Sequence, residues 1–156
     1  MKVLIHGGFF SESATDDGTK QRKQAALQQI VRKAFDYLQT HSAVETVVFA
    51  VKLLEDDPLF NAGIGSQIQA DGKIRMSASL MDGTTQKFSG VINIEDVKNP
   101  IEVALLLMQE DDRVLGGEPA TRYARQKGFE VFSTEIPQRR NEYEAKLKSK
   151  GLGTVG

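Results

Sequence analysis

Over the first quarter of the chain, apolar residues fall at i, i+3 and i+4 spacing from Thr19 onward. Leu27, Ile30, Val31, Ala34, Phe35 and Leu38 share one face, which predicts an amphipathic helix. Ahead of it, residues 2–6 read as a short buried strand closed by Gly7-Gly8, and residues 11–18 are polar and loop-like. Ser42 and Glu45 stand at capping-box spacing, so a second helix opens there with both side chains satisfying free amide donors. That helix is apolar almost all round through Leu54, which predicts burial on every side. Pro58 lies past its end, since proline cannot continue it.

The period then drops from 3.6 to 2. Ile74, Met76, Ala78 and Leu80 alternate with Lys73, Arg75, Ser77 and Ser79, the pattern of a half-buried strand. Asp71-Gly72 marks a hairpin turn from residues 67–70, Asp82-Gly83 marks the next turn, and residues 88–94 complete an expected antiparallel meander. Asn99 is placed to cap a third helix, with Pro100 at its first position and Glu102 in its first turn. Val103, Leu106 and Leu107 form the apolar face expected of it. Residues 119–127 make a short helix that Gly128 can end in a left-handed conformation. Residues 138–150 are charged, and the last stretch of chain reads as exposed. Helices on either side of a meander, without internal repeats, give an α+β class in one domain.

Composition narrows the chemistry. Twenty Lys plus Arg against 21 Asp plus Glu leave a net charge of -1 in 156 residues, which argues against a nucleic-acid binder. The absence of cysteine removes disulfides, thiolate nucleophiles and iron–sulfur ligation. His6 and His41 are the only histidines, too few for a His-rich metal site. The N-terminal apolar run is short and the stretch 47–54 is broken by Lys52. A cytoplasmic protein with no membrane partner is therefore expected.

Four candidates could carry chemistry. Gly151-x-Gly153-x-x-Gly156 spells a dinucleotide fingerprint, yet it lacks the preceding strand and following helix that hold a pyrophosphate. His6-Gly7-Gly8 reads either as a tight turn or as backbone that can approach a ligand closely, with His6 hydrogen-bonded and partly buried. Glu55, Asp56 and Asp57 cluster at a helix C-terminus, where the dipole makes each unfavourable by roughly a few tenths of a kcal/mol. Either that turn is simply solvated, or a cation sits there on backbone carbonyls, since the loop is too short and apolar for a side-chain calcium site. Thr154 could serve as a nucleophile if the Gly153–Thr154 bond were cut, freeing its own amine as base. Gly153 tolerates the strained geometry such a cut needs.

Taken together, IHGG at 5–8, LLEDDPLFNAGIGS at 53–66, ADGKIRMSASLMDG at 70–83, Asn99-Pro100 and GTVG at 153–156 resemble the N-terminal half of a plant-type asparaginase/isoaspartyl peptidase. That family is built of threonine-dependent N-terminal-nucleophile hydrolases. The resemblance implies an αββα sandwich completed by a β subunit from the same precursor, in an (αβ)2 assembly. Residues 1–137 would be the α half, 138–153 a polar linker, and 154–156 the start of the β segment. Autocleavage between Gly153 and Thr154 would expose Thr154 as catalytic nucleophile. The implied activity is hydrolysis of L-asparagine and β-aspartyl (isoaspartyl) dipeptides, with no organic cofactor and with a structural sodium ion. Main-chain oxygens of Leu54, Glu55, Asp57, Phe60, Ala62 and Ile64 would hold that ion. Asn61 matches the asparagine beside the nucleophile, and Gly7 the mobile glycine coupled to maturation. Two departures stand out: Phe9, Phe10 and Ser11 replace a small-residue stretch, and Ser77 replaces an aspartate. Without a β half the chain is expected to be catalytically silent. The rival expectations are a glycosylasparaginase-like amidohydrolase and a non-catalytic scaffold of the same fold.

Overall fold

The computed structural model describes residues 1–8 and 17–149. Helix α1 (Asp17–Tyr37) and helix α2 (Ala43–Glu55) come first. A 3-10 turn (Gly63–Gly65) follows, then strands β1 (Met76–Asp82) and β2 (Lys87–Ile94). Helix α3 (Pro100–Leu107), strand β3 (Val114–Gly116), and helices α4 (Gly117–Gln126) and α5 (Pro137–Ser149) complete the described chain. The class is mixed α and β, as expected. None of these helices is long and apolar enough to cross a membrane.

The capping box forms as its spacing requires. Ser42 Oγ accepts the Glu45 N–H at 3.2 Å, and Glu45 Oε2 accepts the Ser42 N–H at 2.8 Å. β1 follows its alternation, with Met76 and Leu80 inward and Ser77 and Ser79 outward. Gly128 adopts φ 89° directly after α4, a left-handed stop that costs glycine nothing. Asp82 closes the β1–β2 turn by accepting the Thr84 N–H at 2.9 Å and the Thr85 hydroxyl at 2.7 Å.

The sheet itself differs from the expected meander. Its order is β1-β2-β3, with β2 antiparallel to β1 but parallel to β3. α3 is the crossover that a parallel connection needs, so β2-α3-β3 is a βαβ unit. Residues 67–70 are not a strand. They keep only the turn, in which Gly72 N–H donates to Gln69 O and Gln69 N–H to Lys73 O. Residues 2–6 are not a strand either, because among the described residues no strand offers them a ladder partner. Val3 and Ile5 instead pack beside α1 and α2, with Leu27, Ile30, Ala34, Ala50 and Phe60.

One face of the sheet is covered. Met76, Val91 and Ile94 meet Val97, Val103 and Leu107 and the small Ala120 and Ala124 of α4. Leu80 meets Val48, Ile101 and Met108. Burial of a Leu or Val side chain here contributes about 1.5–3 kcal/mol. The opposite face carries Met81, Phe88, Ile92 and Val114, between 46% and 65% exposed. Met81 and Phe88 stand opposite each other in the register, and Val114 stands opposite Gly90, two residues from Ile92.

Burial expectations from helical spacing are corrected at three points. Phe35, Val47 and Leu106 are exposed, although each lies on an apolar run. α2 is covered by α1 on one side and by the sheet and α3 on another, while Val47 faces an open groove of ≈ 250 Å³ between α2 and the N-terminal segment. Burial all round needs neighbours all round, and this chain supplies them on only part of the helix.

Candidate functional site

The residues between α2 and β1 turn the chain tightly back on itself, and two glycines make this possible. Gly63 has φ 49°, and a Cβ there would lie 2.0 Å from Glu55 O. A Cβ at Gly65 would lie 1.9 Å from Phe60 O and 2.8 Å from Pro58 O. Only a residue without a side chain permits such close approach of main chain to carbonyl oxygen. Short hydrogen bonds fix the rest: Phe60 N–H to Asp57 O (3.1 Å), Gly65 N–H to Ala62 O (2.9 Å) and Leu59 N–H to Asp57 Oδ1 (3.0 Å). The result is a loop in which the Glu55 carbonyl crowds Gly63 and the Pro58 and Phe60 carbonyls crowd Gly65.

The acidic helix end finds hydrogen-bond partners far along the chain. Glu55 is only 3% exposed. Its Oε1 accepts the Ile101 N–H at 3.1 Å and its Oε2 accepts from Asn99 Nδ2 at 3.1 Å. Asn99 therefore does not cap α3 with its side chain. Its amide reaches back to Glu55 and to Asp56 Oδ1, also 3.1 Å away, and Glu55 takes over the capping bond. The positive end of the α3 dipole favours a carboxylate at that position. Burial nevertheless pushes the Glu55 carboxyl up to about 7, against the lowering effect of the Asn99 and Ile101 bonds, with Asp56 and Glu102 adding repulsion. Lys98 Nζ stands 3.1 Å from Asp56 Oδ1, and Asp57 spends one oxygen on the Leu59 amide.

Most of the residues singled out in the sequence converge here. Gly7 packs against this loop: a Cβ on it would be 2.9 Å from both Leu27 methyls and 3.1 Å from the Phe60 ring. Asn61 is exposed and closes the loop, its Oδ1 accepting the Gln67 N–H at 2.9 Å. Leu54, Glu55, Asp57, Phe60, Ala62 and Ile64 all lie on the loop or at the helix end that enters it. His6 is hydrogen-bonded as expected, accepting from the Gly8 N–H at 3.3 Å, but it is exposed rather than partly buried. Phe9, Phe10, Ser11, Gly153 and Thr154 lie outside the described residues.

Three partners of the loop were missed in the sequence: Asn99 as its strap, and Arg139 and Tyr143 from α5. Arg139 Nε donates to Gly65 O at 2.8 Å, and Tyr143 OH to Ala70 O at 3.3 Å. A buried glutamate demands a partner, but no sequence spacing says which residue supplies it.

The loop presents oxygen donors only, the chemistry that suits a hard cation. Among the described residues no group of three or more His, Asp or Glu side chains is placed to hold a metal. A cation here would therefore rest on main-chain carbonyls, and the cradle at Gly63 and Gly65 fits that demand.

Comparison with known proteins gives a consistent picture. A family model described as asparaginase matches residues 1–154. The chain is 42% identical over 143 residues to an isoaspartyl peptidase/L-asparaginase of Synechocystis sp., covering 91% of this chain and 43% of that protein. It is 37% identical over 159 residues to a plant-type L-asparaginase of Pyrococcus furiosus (97% and 49%). It is 36% identical over 157 residues to an isoaspartyl peptidase of Escherichia coli (98% and 49%). The chain spans about half the length of the curated relatives it matches.

Proposed function

The chain belongs to the asparaginase family, and from that premise we propose that it is the N-terminal, α-subunit portion of a self-cleaving threonine amidohydrolase. Assembled with its β half, the enzyme hydrolyses L-asparagine and β-aspartyl dipeptides in the cytoplasm. The single observation that carries this reading is the match of residues 1–154 to the asparaginase family. The loop geometry supports it, because Gly7 and the stretch around Asn61 lie on one packed unit.

In maturation, the Thr154 hydroxyl attacks the Gly153 carbonyl carbon. The Gly153–Thr154 C–N bond breaks as an ester forms on Oγ, and the nitrogen takes up the hydroxyl proton. Water then splits the ester, leaving a Gly153 carboxylate and a free Thr154 amine. In turnover that amine is the general base for its own hydroxyl. The hydroxyl attacks the side-chain amide or isopeptide carbonyl, ammonia or the amino-acid leaving group departs, and water releases aspartate. In this reading Asn61 lies near the nucleophile and Gly7 is the glycine coupled to maturation.

Main-chain oxygens of Leu54, Glu55, Asp57, Phe60, Ala62 and Ile64 would hold a sodium ion. Its contribution is structural: a positive charge that fixes the carbonyl-rich turn and offsets the acidic helix end. The exposed sheet face with Met81, Phe88, Ile92 and Val114 supports an αββα arrangement, in which a second sheet from the β half covers it.

Intact-mass analysis and N-terminal sequencing of the full-length gene product test the reading. A new chain starting Thr-Val-Gly is expected, together with hydrolysis of asparagine or β-aspartyl dipeptides. An active protein that never splits before Thr154 refutes the nucleophile. Sodium should raise the melting temperature where choline chloride of equal ionic strength does not, by the linkage of binding to folding.

A further inference from the structure

Asn61 closes its loop with a bond that water can contest. Its Oδ1 accepts the Gln67 N–H at 2.9 Å, and both residues are exposed. An exposed hydrogen bond exchanges with bonds to water and contributes little by itself. The peptide units just before Gln67 are held more firmly. Gly65 N–H donates to Ala62 O at 2.9 Å and Ser66 N–H to Gly63 O at 3.1 Å, and both residues are buried. The Gly65 carbonyl shares one planar trans unit with the Ser66 amide, so it points the opposite way. There α5 takes it: Arg139 Nε donates to Gly65 O at 2.8 Å. Beyond Gln67, Tyr143 OH donates to Ala70 O at 3.3 Å. α5 therefore grips the chain on both sides of the residue that orients Asn61.

Arg139 is itself set in place. Its side chain is only 11% exposed, and its second nitrogen pairs with Glu142 Oε2 at 2.8 Å. Glu142 Oε1 in turn accepts from Gln138 Nε2 at 3.0 Å. On the α1 side stands Lys23, whose ammonium is held below its ordinary pKa by burial first and by the Arg139 charge second, against the opposing pull of Glu142. From these contacts we infer that Arg139 is a positioning residue for Asn61: it fixes the peptide plane between Gly65 and Ser66, and through it the Gln67 N–H that aims the Asn61 side chain. Glycine leaves the backbone beside that plane soft, and a plane held at both its N–H and its carbonyl cannot swing. A charged donor on a carbonyl is the stronger kind of hydrogen bond, so Arg139 carries more of this grip than Tyr143. The positioning stands on the geometry alone; its effect on turnover rests on the role given to Asn61 in the proposed function.

The test uses the full-length gene product as wild type, Arg139→Ala, Arg139→Lys, Asn61→Ala and the Arg139→Ala/Asn61→Ala double variant. Hydrogen exchange of the Gln67 amide is followed by NMR, with kcat and KM on a β-aspartyl dipeptide measured alongside. In Arg139→Ala the Gln67 amide should exchange about tenfold faster, the worth of one charged hydrogen bond, while amides of α2 and β2 keep their wild-type rates. Arg139→Lys should fall in between, since it keeps the charge but loses the planar fork. The kcat of Arg139→Ala should drop by at most about the same tenfold, because only molecules with Asn61 in place turn over. Once Asn61 is alanine, Arg139→Ala should cost nothing further, as expected of two residues acting through one another. Wild-type exchange at Gln67 in Arg139→Ala overturns the inference, as do kcat losses that multiply in the double variant. Faster exchange in α2 and β2 overturns it too, since that marks a general loosening of the fold. A wild-type kcat in Asn61→Ala refutes instead the role given to Asn61 in the proposed function, and the Gln67 exchange rates then decide the positioning alone.

Discussion

Replacing Gly63 by alanine probes the carbonyl cradle, and two other glycines separate the two penalties involved. At Gly63 the new methyl would sit 2.0 Å from Glu55 O and 2.6 Å from Glu55 C, on a backbone at φ 49°. Left-handed backbone costs a residue with a Cβ about 1–2 kcal/mol. Overpacking against atoms that cannot move costs a further ~1–3 kcal/mol, and here the obstruction is main chain. The sum is about 2–5 kcal/mol, which in a protein of this size lowers the melting temperature by about 4–20 °C. Gly65→Ala isolates the clash, since its Cβ would meet Phe60 O at 1.9 Å and its φ is not in the left-handed region. Gly128→Ala isolates the backbone penalty: its φ is 89° and nothing lies within 4 Å of the added carbon. Thermal unfolding by circular dichroism should rank the losses with Gly63→Ala largest, near the sum of the other two. A Gly63→Ala protein no less stable than Gly128→Ala would show that the Glu55 carbonyl is not held against the turn, and the cradle argument would fail.

Other perturbations address the straps, the caps and the open sheet face. Glu55→Ala should cost about 2–4 kcal/mol, because it strands the Ile101 amide in the interior and leaves the Asn99 amide with Asp56 as its remaining acceptor. Glu55→Gln should cost clearly less, since it keeps an acceptor and avoids burying an ionised carboxylate; equal losses would contradict the proposed strap. Ser42→Ala should cost about 1 kcal/mol in denaturant unfolding. Bonds from the Ser42 hydroxyl and amide hold the Glu45 carboxyl below its ordinary 4.5. A pKa depressed by folding stabilises above the unfolded value, so the advantage of Glu45 over a Glu45→Gln variant should disappear as the pH falls below about 4.5. Under the proposed assembly, Phe88→Asp, at a side chain 49% exposed on the uncovered sheet face, should leave this chain's own circular dichroism unchanged while weakening its association with the proposed β half by size-exclusion analysis. Unaltered assembly would remove the second sheet from that face.

Much of the local structure is legible residue by residue. Ser42 and Glu45 announce the start of α2, Pro100 that of α3, Gly128 the stop of α4, and the alternation through Leu80 the inward face of β1. Each depends on bonds or steric limits within about four residues, so the string of side chains contains the answer. The motif around Asn61 and Gly63 was equally visible, and its glycines make sense once their neighbours are known.

Tertiary structure decided which distant groups complete those local pieces. Asn99 had the identity of a helix cap, yet its amide donates to Glu55, 44 residues earlier, and the Glu55 carboxyl accepts the Ile101 N–H that a capping side chain would have taken, at a helix end that is buried. Residues 2–6 had the composition of a strand, but among the described residues no strand lies beside them, and a ladder needs two sides. The sheet gained β3 in parallel rather than a third antiparallel strand, since α3 carries the chain back across the sheet. Arg139 finds Gly65 O across 74 residues. Local rules act through the covalent chain and are written in the sequence by itself. These contacts instead depend on which surfaces meet after collapse, and only the folded arrangement of α2, α3, α5 and the loop between α2 and β1 fixes that.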